Sequence, residues 1–114
     1  APVTDWTLYD THYTERYMGT PQEQSEAYRL GNVLTYADRI ADPLLLIHPM
    51  ADDNVLFTHS TKLMQRLQEE RILFDLMTYP GEKHGITGEN QRVHVYKTIA
   101  RFLHRHLRDA PQQK

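Results

Sequence analysis

The sequence of 114 residues contains no cysteine. Disulfide bonds, thiol nucleophiles and cysteine-ligated zinc are therefore excluded, although a chain without cysteine is compatible with both reducing and oxidising compartments. No apolar run approaches the ~20 residues that a membrane-spanning helix needs, and the start "APVTDWTLYD" lacks the basic and apolar regions of a signal peptide. We therefore expect no membrane segment in this chain.

The sequence also lacks an excess of charge of one sign. Lys and Arg number 13 against 15 Asp and Glu, which leaves a formal net charge of -2 at pH 7 without a long run of either sign. Nucleic acid is not an expected partner, because no basic stripe is available to follow phosphates. The length suits one small globular domain. Since the chain does not begin with Met, we expect a fragment or a processed chain.

The hydrophobic pattern divides the chain near Asp42. Before this point the sequence is polar and aromatic and is interrupted by glycine and proline, which predicts only short helices, over residues 10–18 and 23–30. After it, a strand over 44–48 precedes a helix over 59–71, a strand over 72–80 precedes a helix over 90–107, and this order defines an α/β fold. Alternation of this kind predicts parallel strands with a right-handed crossover, so both strands should end at the same edge of the sheet.

The two long helices carry their own sequence signals. Thr58 or Ser60 is the predicted amino-terminal cap of the first helix, and Asn90 is the predicted cap of the second. The second helix has an apolar face at helical spacing, formed by Tyr96, Ile99, Leu103 and Leu107.

Polar segments leave both predicted strands at the shared edge. "PMADDN" follows the first strand and "GEKHG" follows the second, which brings Asp52 or Asp53 within possible reach of His84. In hydrolases an aspartate fixes the tautomer of a histidine that takes a proton from a serine. The alternative is that the acids and Asn54 form a polar turn that caps the next helix, with His84 on an ordinary exposed loop.

Four strings, "HYTERYMG", "LLLIH", "ADDNV" and "EKHG", occur in an order and spacing that resemble the prolyl oligopeptidase family of serine peptidases. The resemblance runs from "APV" to "FLHRHL". It implies that residues 1–114 are the carboxyl-terminal part of an α/β-hydrolase catalytic domain, with the nucleophile-bearing part and any β-propeller upstream. The implied activity is the release of dipeptides from peptide amino termini after proline or alanine, without a cofactor.

The resemblance also implies roles for individual residues. The first acid of "ADDN", Asp52, corresponds to the triad acid, and the histidine of "EKHG", His84, corresponds to the triad base. Asn54 corresponds to the residue that binds a substrate carbonyl. The pocket for proline or alanine would be lined by Val3, Trp6, Tyr9, Tyr13 and Val55. Aromatic rings suit such a pocket because they form flat apolar walls, although packing within a core is the alternative role of these rings.

Two features depart from the family pattern. The G-x-S-x-G motif of a nucleophile elbow is absent, and Ser25 and Ser60 lie in polar helical contexts, so the lone chain is expected to be inactive. Pro49 stands where the family usually has glycine after the strand histidine. If that glycine has a positive φ, proline would shift the loop that carries Asp52.

Two other classes of function remain open from the sequence. A metal-binding hydrolase could use His48, Asp52, Asp53 and His84, but no H-E-x-x-H or comparable ligand string supports a metal site. A noncatalytic interaction module is the second alternative. From the resemblance we also expect a peptide substrate, a homodimer formed through the carboxyl-terminal helices, and a periplasmic or extracellular location.

Overall fold

A computed structural model of the protein describes residues 1–108. Within these residues, four α-helices and two strands occur in the order α1 (Thr11–Met18), α2 (Ser25–Leu30), β1 (Leu45–Pro49), α3 (Thr58–Glu69), β2 (Asp75–Tyr79) and α4 (Glu89–Leu103). Short 3₁₀ helices span Trp6–Leu8 and Val33–Arg39, and the π-helical segment His104–Arg108 continues α4. All the predicted elements are present, whereas neither 3₁₀ helix was predicted.

The strands β1 and β2 pair in parallel, in a register that places Leu45 opposite Asp75 and Pro49 opposite Tyr79. Both strands therefore end at the same edge, as the alternation of strands and helices predicted. β2 is shorter than predicted, since Ile72 and Phe74 precede the strand and pack against the core instead.

The core lies between β1, α3 and the second 3₁₀ helix. Its buried centre consists of Ala37, Leu46, Leu63 and Leu67, with Leu34, Ile40, Leu44, Met64, Ile72 and Phe74 packed around it. Leu63 and Leu67 are four residues apart and lie on one face of α3, which is why this helix packs on the sheet. The core holds β1 and α3 in fixed positions on either side of the loop that joins them.

The predicted helix caps are wrong. α3 begins after Phe57 with no side-chain cap, and Ser60 lies inside the helix with its hydroxyl 2.6 Å from a ring nitrogen of His48. α4 begins after Gly88, also without a side-chain cap. Local propensity for a cap therefore did not decide where these helices begin.

Most of the predicted apolar face of α4 does not pack on the described sheet. Tyr96 is 68% exposed, Leu103 44% and Leu107 78%, whereas Ile99 is half-buried. Within residues 1–108, no helix combines the length and the apolar character that crossing a membrane requires.

Candidate active site

Two loops meet at the carboxyl edge of the sheet and form the candidate site. The Met50 backbone N–H donates to the Tyr79 carbonyl at 3.0 Å, and the Ala51 N–H donates to the Glu82 carbonyl at 3.0 Å. These bonds continue the strand pairing beyond Pro49 and tie the loop after β1 to the loop after β2. The acidic segment and the histidine are thereby held side by side.

Asp52 is 4% exposed and its carboxylate accepts three hydrogen bonds. Oδ1 accepts from the backbone N–H groups of Asn54 and Val55, both at 2.9 Å. Oδ2 accepts from Nδ1 of His84 at 2.8 Å. Asp52 therefore forms the polar turn and contacts the histidine at the same time, but the turn does not cap the next helix, because α3 begins after Phe57 without a side-chain cap.

The surroundings of Asp52 favour its charged form. Burial of the carboxyl opposes ionisation, but the hydrogen bonds from His84 and from the two backbone N–H groups outweigh it, so the pKa of Asp52 lies below its ordinary value of 3.8. The side chain is therefore a carboxylate at neutral pH, which acts only as an acceptor toward His84.

His84 lies on the loop after β2, and its side chain is 46% exposed. Since Nδ1 donates to Asp52, the other ring nitrogen, Nε2, is the one available for chemistry. Glu82 stabilises this loop, because its Oε2 accepts from the Thr87 N–H at 3.0 Å. Ile86 has φ of 45°, an uncommon conformation for a β-branched residue, so the loop following His84 is strained.

Asp53 takes a different direction from Asp52. Its carboxylate lies 3.4 Å from Nζ of Lys83, and both side chains are about 70% exposed. Neighbouring residues that leave a strand tend to point to opposite sides, which accounts for the difference between the two acids. Asp53 does not cap α3, because that helix begins after Phe57.

The aromatic residues of the first segment form one cluster. Trp6 and Tyr9 are in edge contact with ring centroids 5.7 Å apart, Tyr9 and Tyr13 are likewise 5.7 Å apart, and Trp6 stacks on Tyr13 at 6.4 Å. Tyr13 is 50% exposed, so the cluster is not buried in the core. The Tyr9 hydroxyl donates to Oδ1 of Asn54 at 2.7 Å, which joins the cluster to the loop of Asp52.

The two valines of the predicted pocket have different settings. Val55 is buried, with 4% of its surface exposed. Its backbone N–H donates to Asp52, and its carbonyl is hydrogen-bonded to His48. Val3 is half-buried beside Thr4, whose hydroxyl donates to the His59 carbonyl at 2.7 Å. This bond ties the backbone next to Val3 to α3.

The sequence indicates His48 only as a candidate metal ligand and predicts neither of its two hydrogen bonds. It is fully buried, with Nδ1 at 2.6 Å from the Ser60 hydroxyl and Nε2 at 2.8 Å from the Val55 carbonyl. The contact with Ser60 joins a strand to a helix across 12 positions of sequence, and no local pattern signals it.

The four residues considered as metal ligands do not form a ligand set. Both ring nitrogens of His48 are already hydrogen-bonded, and Asp53 is paired with Lys83. Within the part of the chain that the structure describes, no group of three or more His, Cys, Asp and Glu residues could hold a metal ion.

Pro49 does not separate the loop of Asp52 from His84. The proline is buried at the end of β1, and the Asp52 N–H donates back to its carbonyl at 3.3 Å. Since Oδ2 of Asp52 lies 2.8 Å from His84, the loop is not displaced from the histidine.

The chain is similar to known dipeptidyl peptidases. It is 40% identical over 106 residues to dipeptidyl peptidase 4 of Bos taurus, which covers 90% of this chain and 14% of that protein. It is 42% identical over 102 residues to dipeptidyl peptidase 8 of Mus musculus, which covers 83% of this chain and 11% of that protein. The chain therefore spans only a small part of these relatives.

The fold has a solved counterpart. The crystal structure of Porphyromonas gingivalis dipeptidyl peptidase 4 matches with a TM-score of 0.91 and 38% identity, over 93% of this chain and 15% of that one. The fold is thus the corresponding portion of an α/β-hydrolase domain, as predicted. Together with the match of the prolyl oligopeptidase family model to residues 1–110, these similarities show that the chain belongs to the prolyl oligopeptidase family.

Proposed function

We propose that this chain supplies the acid and the base of a serine-peptidase triad, Asp52 and His84, to a longer dipeptidyl peptidase. The observation that carries the proposal is the 2.8 Å bond from Nδ1 of a half-exposed imidazole to Oδ2 of a buried carboxylate. In a triad the acid holds the proton on one ring nitrogen, so the other nitrogen is free to accept the proton of the nucleophile.

The nucleophile of this proposal lies outside the 114 residues. Ser60 is fully buried and bonded to His48, so a substrate cannot reach it. Ser25 begins the short helix α2 and follows no strand, unlike the serine of a nucleophile elbow. A serine from another part of the complete protein would attack the scissile carbonyl.

The reaction would use the two described residues in fixed roles. Nε2 of His84 accepts the proton of the attacking serine and returns it to the leaving amine. Asp52 keeps the Nδ1 proton in place and stabilises the imidazolium that forms, while its buried position excludes water from the contact. Hydrolysis by this route requires no cofactor.

The substrate proposed is a peptide with proline or alanine at its second position. The rings of Trp6, Tyr9 and Tyr13 offer flat apolar walls, and Val3 and Val55 complete the pocket in this proposal. Because the Tyr9 hydroxyl donates to Oδ1 of Asn54, the amide group of Asn54 is oriented and its N–H₂ can donate to a substrate carbonyl.

The test uses the complete protein with Gly-Pro-p-nitroanilide, its amino-terminally acetylated form and Gly-Leu-p-nitroanilide. We expect turnover of the first substrate only, and covalent labelling of one serine by a dipeptidyl phosphonate. His84→Ala should reduce kcat by about 10⁴ or more. Unimpaired turnover in His84→Ala would contradict the proposal, and absence of both turnover and labelling would favour a noncatalytic module.

We further propose that the complete protein is a homodimer formed through its carboxyl-terminal helices. The exposed residues Val93, Tyr96 and Leu103 of α4 form an apolar surface that supports this assembly. Light scattering of the complete protein at micromolar concentration should give twice the monomer mass, and a monomer would contradict the dimer without affecting the triad.

A further inference from the structure

His48 lies at the end of β1 with no solvent exposure and with both ring nitrogens engaged. Nδ1 contacts the Ser60 hydroxyl of α3, and Nε2 contacts the Val55 carbonyl in the loop between β1 and α3. One imidazole therefore links the strand, the helix and the loop that carries the triad acid.

The partners of His48 determine its tautomer. A carbonyl oxygen can only accept, so Nε2 must carry the hydrogen that bonds to Val55. Burial lowers the pKa of His48 below its ordinary value of 6.5, so the ring is neutral and its Nδ1 accepts from the Ser60 hydroxyl. The direction of both hydrogen bonds is thereby set.

Val55 connects His48 to Asp52, because it is hydrogen-bonded to both residues. Val55 accepts from Nε2 of His48 with its carbonyl and donates its own N–H to Oδ1 of Asp52 at 2.9 Å. Nε2 of His48 also lies 3.7 Å from Oδ2 of Asp52, the oxygen that contacts His84. The imidazole thus supports the Asp52 turn through Val55 and also lies close to the carboxylate itself.

We propose that His48 is a positioning residue for the triad acid, and that its hydrogen bond to the Val55 carbonyl holds the turn that directs Asp52 at His84. This inference rests on the proposed function, because it matters for catalysis only if Asp52 serves His84. Ser60 has the secondary role of orienting the imidazole. A displacement of about 1 Å in a catalytic group can cost about 100-fold in rate, so loss of this support should be measurable.

The test compares three substitutions at position 48 in the complete enzyme. His48→Gln can place an N–H donor near the position of Nε2, His48→Asn reaches only the position of Nδ1, and His48→Leu makes neither bond. We expect kcat for Gly-Pro-p-nitroanilide to fall by less than about 10-fold in the Gln variant and by about 100-fold in the other two, with smaller changes in KM.

A double-mutant cycle with Asp52→Asn separates positioning from a general effect on folding. If His48 acts through Asp52, His48→Leu should cost less than about 3-fold in the Asp52→Asn background, because the interaction it supports has already been lost. His59→Leu is the matched control, since His59 is also fully buried but bonds to Thr4. It should lower the thermal midpoint while kcat stays within about 3-fold.

Two outcomes would overturn the inference alone: equal losses of kcat in the Gln, Asn and Leu variants, or an undiminished effect of His48→Leu in the Asp52→Asn background. A normal kcat for Asp52→Asn itself would overturn the proposed function as well. If the His48 variants do not fold, Ser60→Ala provides the same cycle with a smaller change. Its loss of kcat, about 10-fold or less, should also disappear in the Asp52→Asn background, and its persistence there would overturn the inference.

Discussion

Replacement of Asp52 by asparagine in the complete enzyme should reduce kcat strongly and leave the fold intact. The asparagine oxygen can retain the two backbone bonds that Oδ1 accepts from Asn54 and Val55. Its amide N–H₂ group would replace Oδ2 and present a donor to Nδ1 of His84, which is itself a donor in the native site. The imidazole would then favour the opposite tautomer, with the hydrogen on Nε2.

The size of the effect follows from this reversal. A histidine that carries its hydrogen on Nε2 cannot accept a proton from serine, and the same change in other triads costs about 10³ to 10⁴ in kcat. This loss corresponds to about 4 to 5.5 kcal/mol of transition-state stabilisation. Asp52→Ala should in addition be less stable by about 2 kcal/mol or more, because two backbone N–H groups lose their acceptor.

Asp53→Asn is the matched control, since it changes the adjacent carboxylate in the same way. Asp53 pairs with Lys83 at the surface, where an ion pair contributes about 0 to 1 kcal/mol, so kcat should change by no more than about 3-fold. The assay is kcat for Gly-Pro-p-nitroanilide beside the thermal midpoint of each variant. A well-folded but inactive Asp53→Asn with a normal Asp52→Asn would reverse the assignment, and normal kcat in both would refute the triad.

Three further predictions concern the chain alone, the pocket and the pH dependence of stability. Residues 1–114 purified alone should not hydrolyse Gly-Pro-p-nitroanilide, and turnover that His84→Ala abolishes would contradict this expectation. In the complete enzyme, Tyr9→Phe should raise KM by about 5-fold by releasing Asn54, and Tyr9→Ala should lower kcat/KM by about 10- to 100-fold; normal kinetics in both would show that the ring only packs. Burial lowers the pKa of His48 in the folded state, so on acidification the unfolded chain takes up a proton at this residue before the folded chain does. The stability that neutral His48 contributes is therefore present above pH 6.5 and is lost as pH falls through the folded-state pKa. Thermal midpoints should decline on acidification below pH 6.5, and an equal decline in His48→Gln would exclude this residue as a cause.

The sequence determined the arrangement of strands and helices after residue 42. Two local patterns predicted these elements: the apolar run of β1 and the helical spacing of Leu63 and Leu67 in α3. Both patterns can be read from neighbouring residues, because a strand or helix that packs on a core needs apolar residues at its own repeat. Parallel pairing follows from the order of the elements, since a strand that returns through a helix is parallel to the first. The meeting of the two polar loops at one edge was therefore predictable without coordinates.

Local patterns did not predict the helix starts. Ser60 has the propensity of a cap, yet its hydroxyl bonds to His48, which lies 12 positions earlier and reaches it only through the packing of β1 against α3. At the start of α4, the loop is held by Glu82, whose carboxylate accepts from the Thr87 N–H. At the start of α3 the N–H groups of His59 and Ser60 donate to the carbonyls of Leu56 and Phe57, so backbone acceptors serve them in place of a side-chain cap.

Residue spacing did not decide which acid contacts the histidine, and the tertiary structure did. Spacing placed Asp52 and Asp53 equally near His84, and only the family resemblance favoured Asp52. In the folded chain the backbone turn buries Asp52 with three donors around it and leaves Asp53 in solvent beside Lys83. The direction of a side chain leaving a strand depends on backbone torsions that are set by packing on both sides of the turn, and the residue types alone do not encode them.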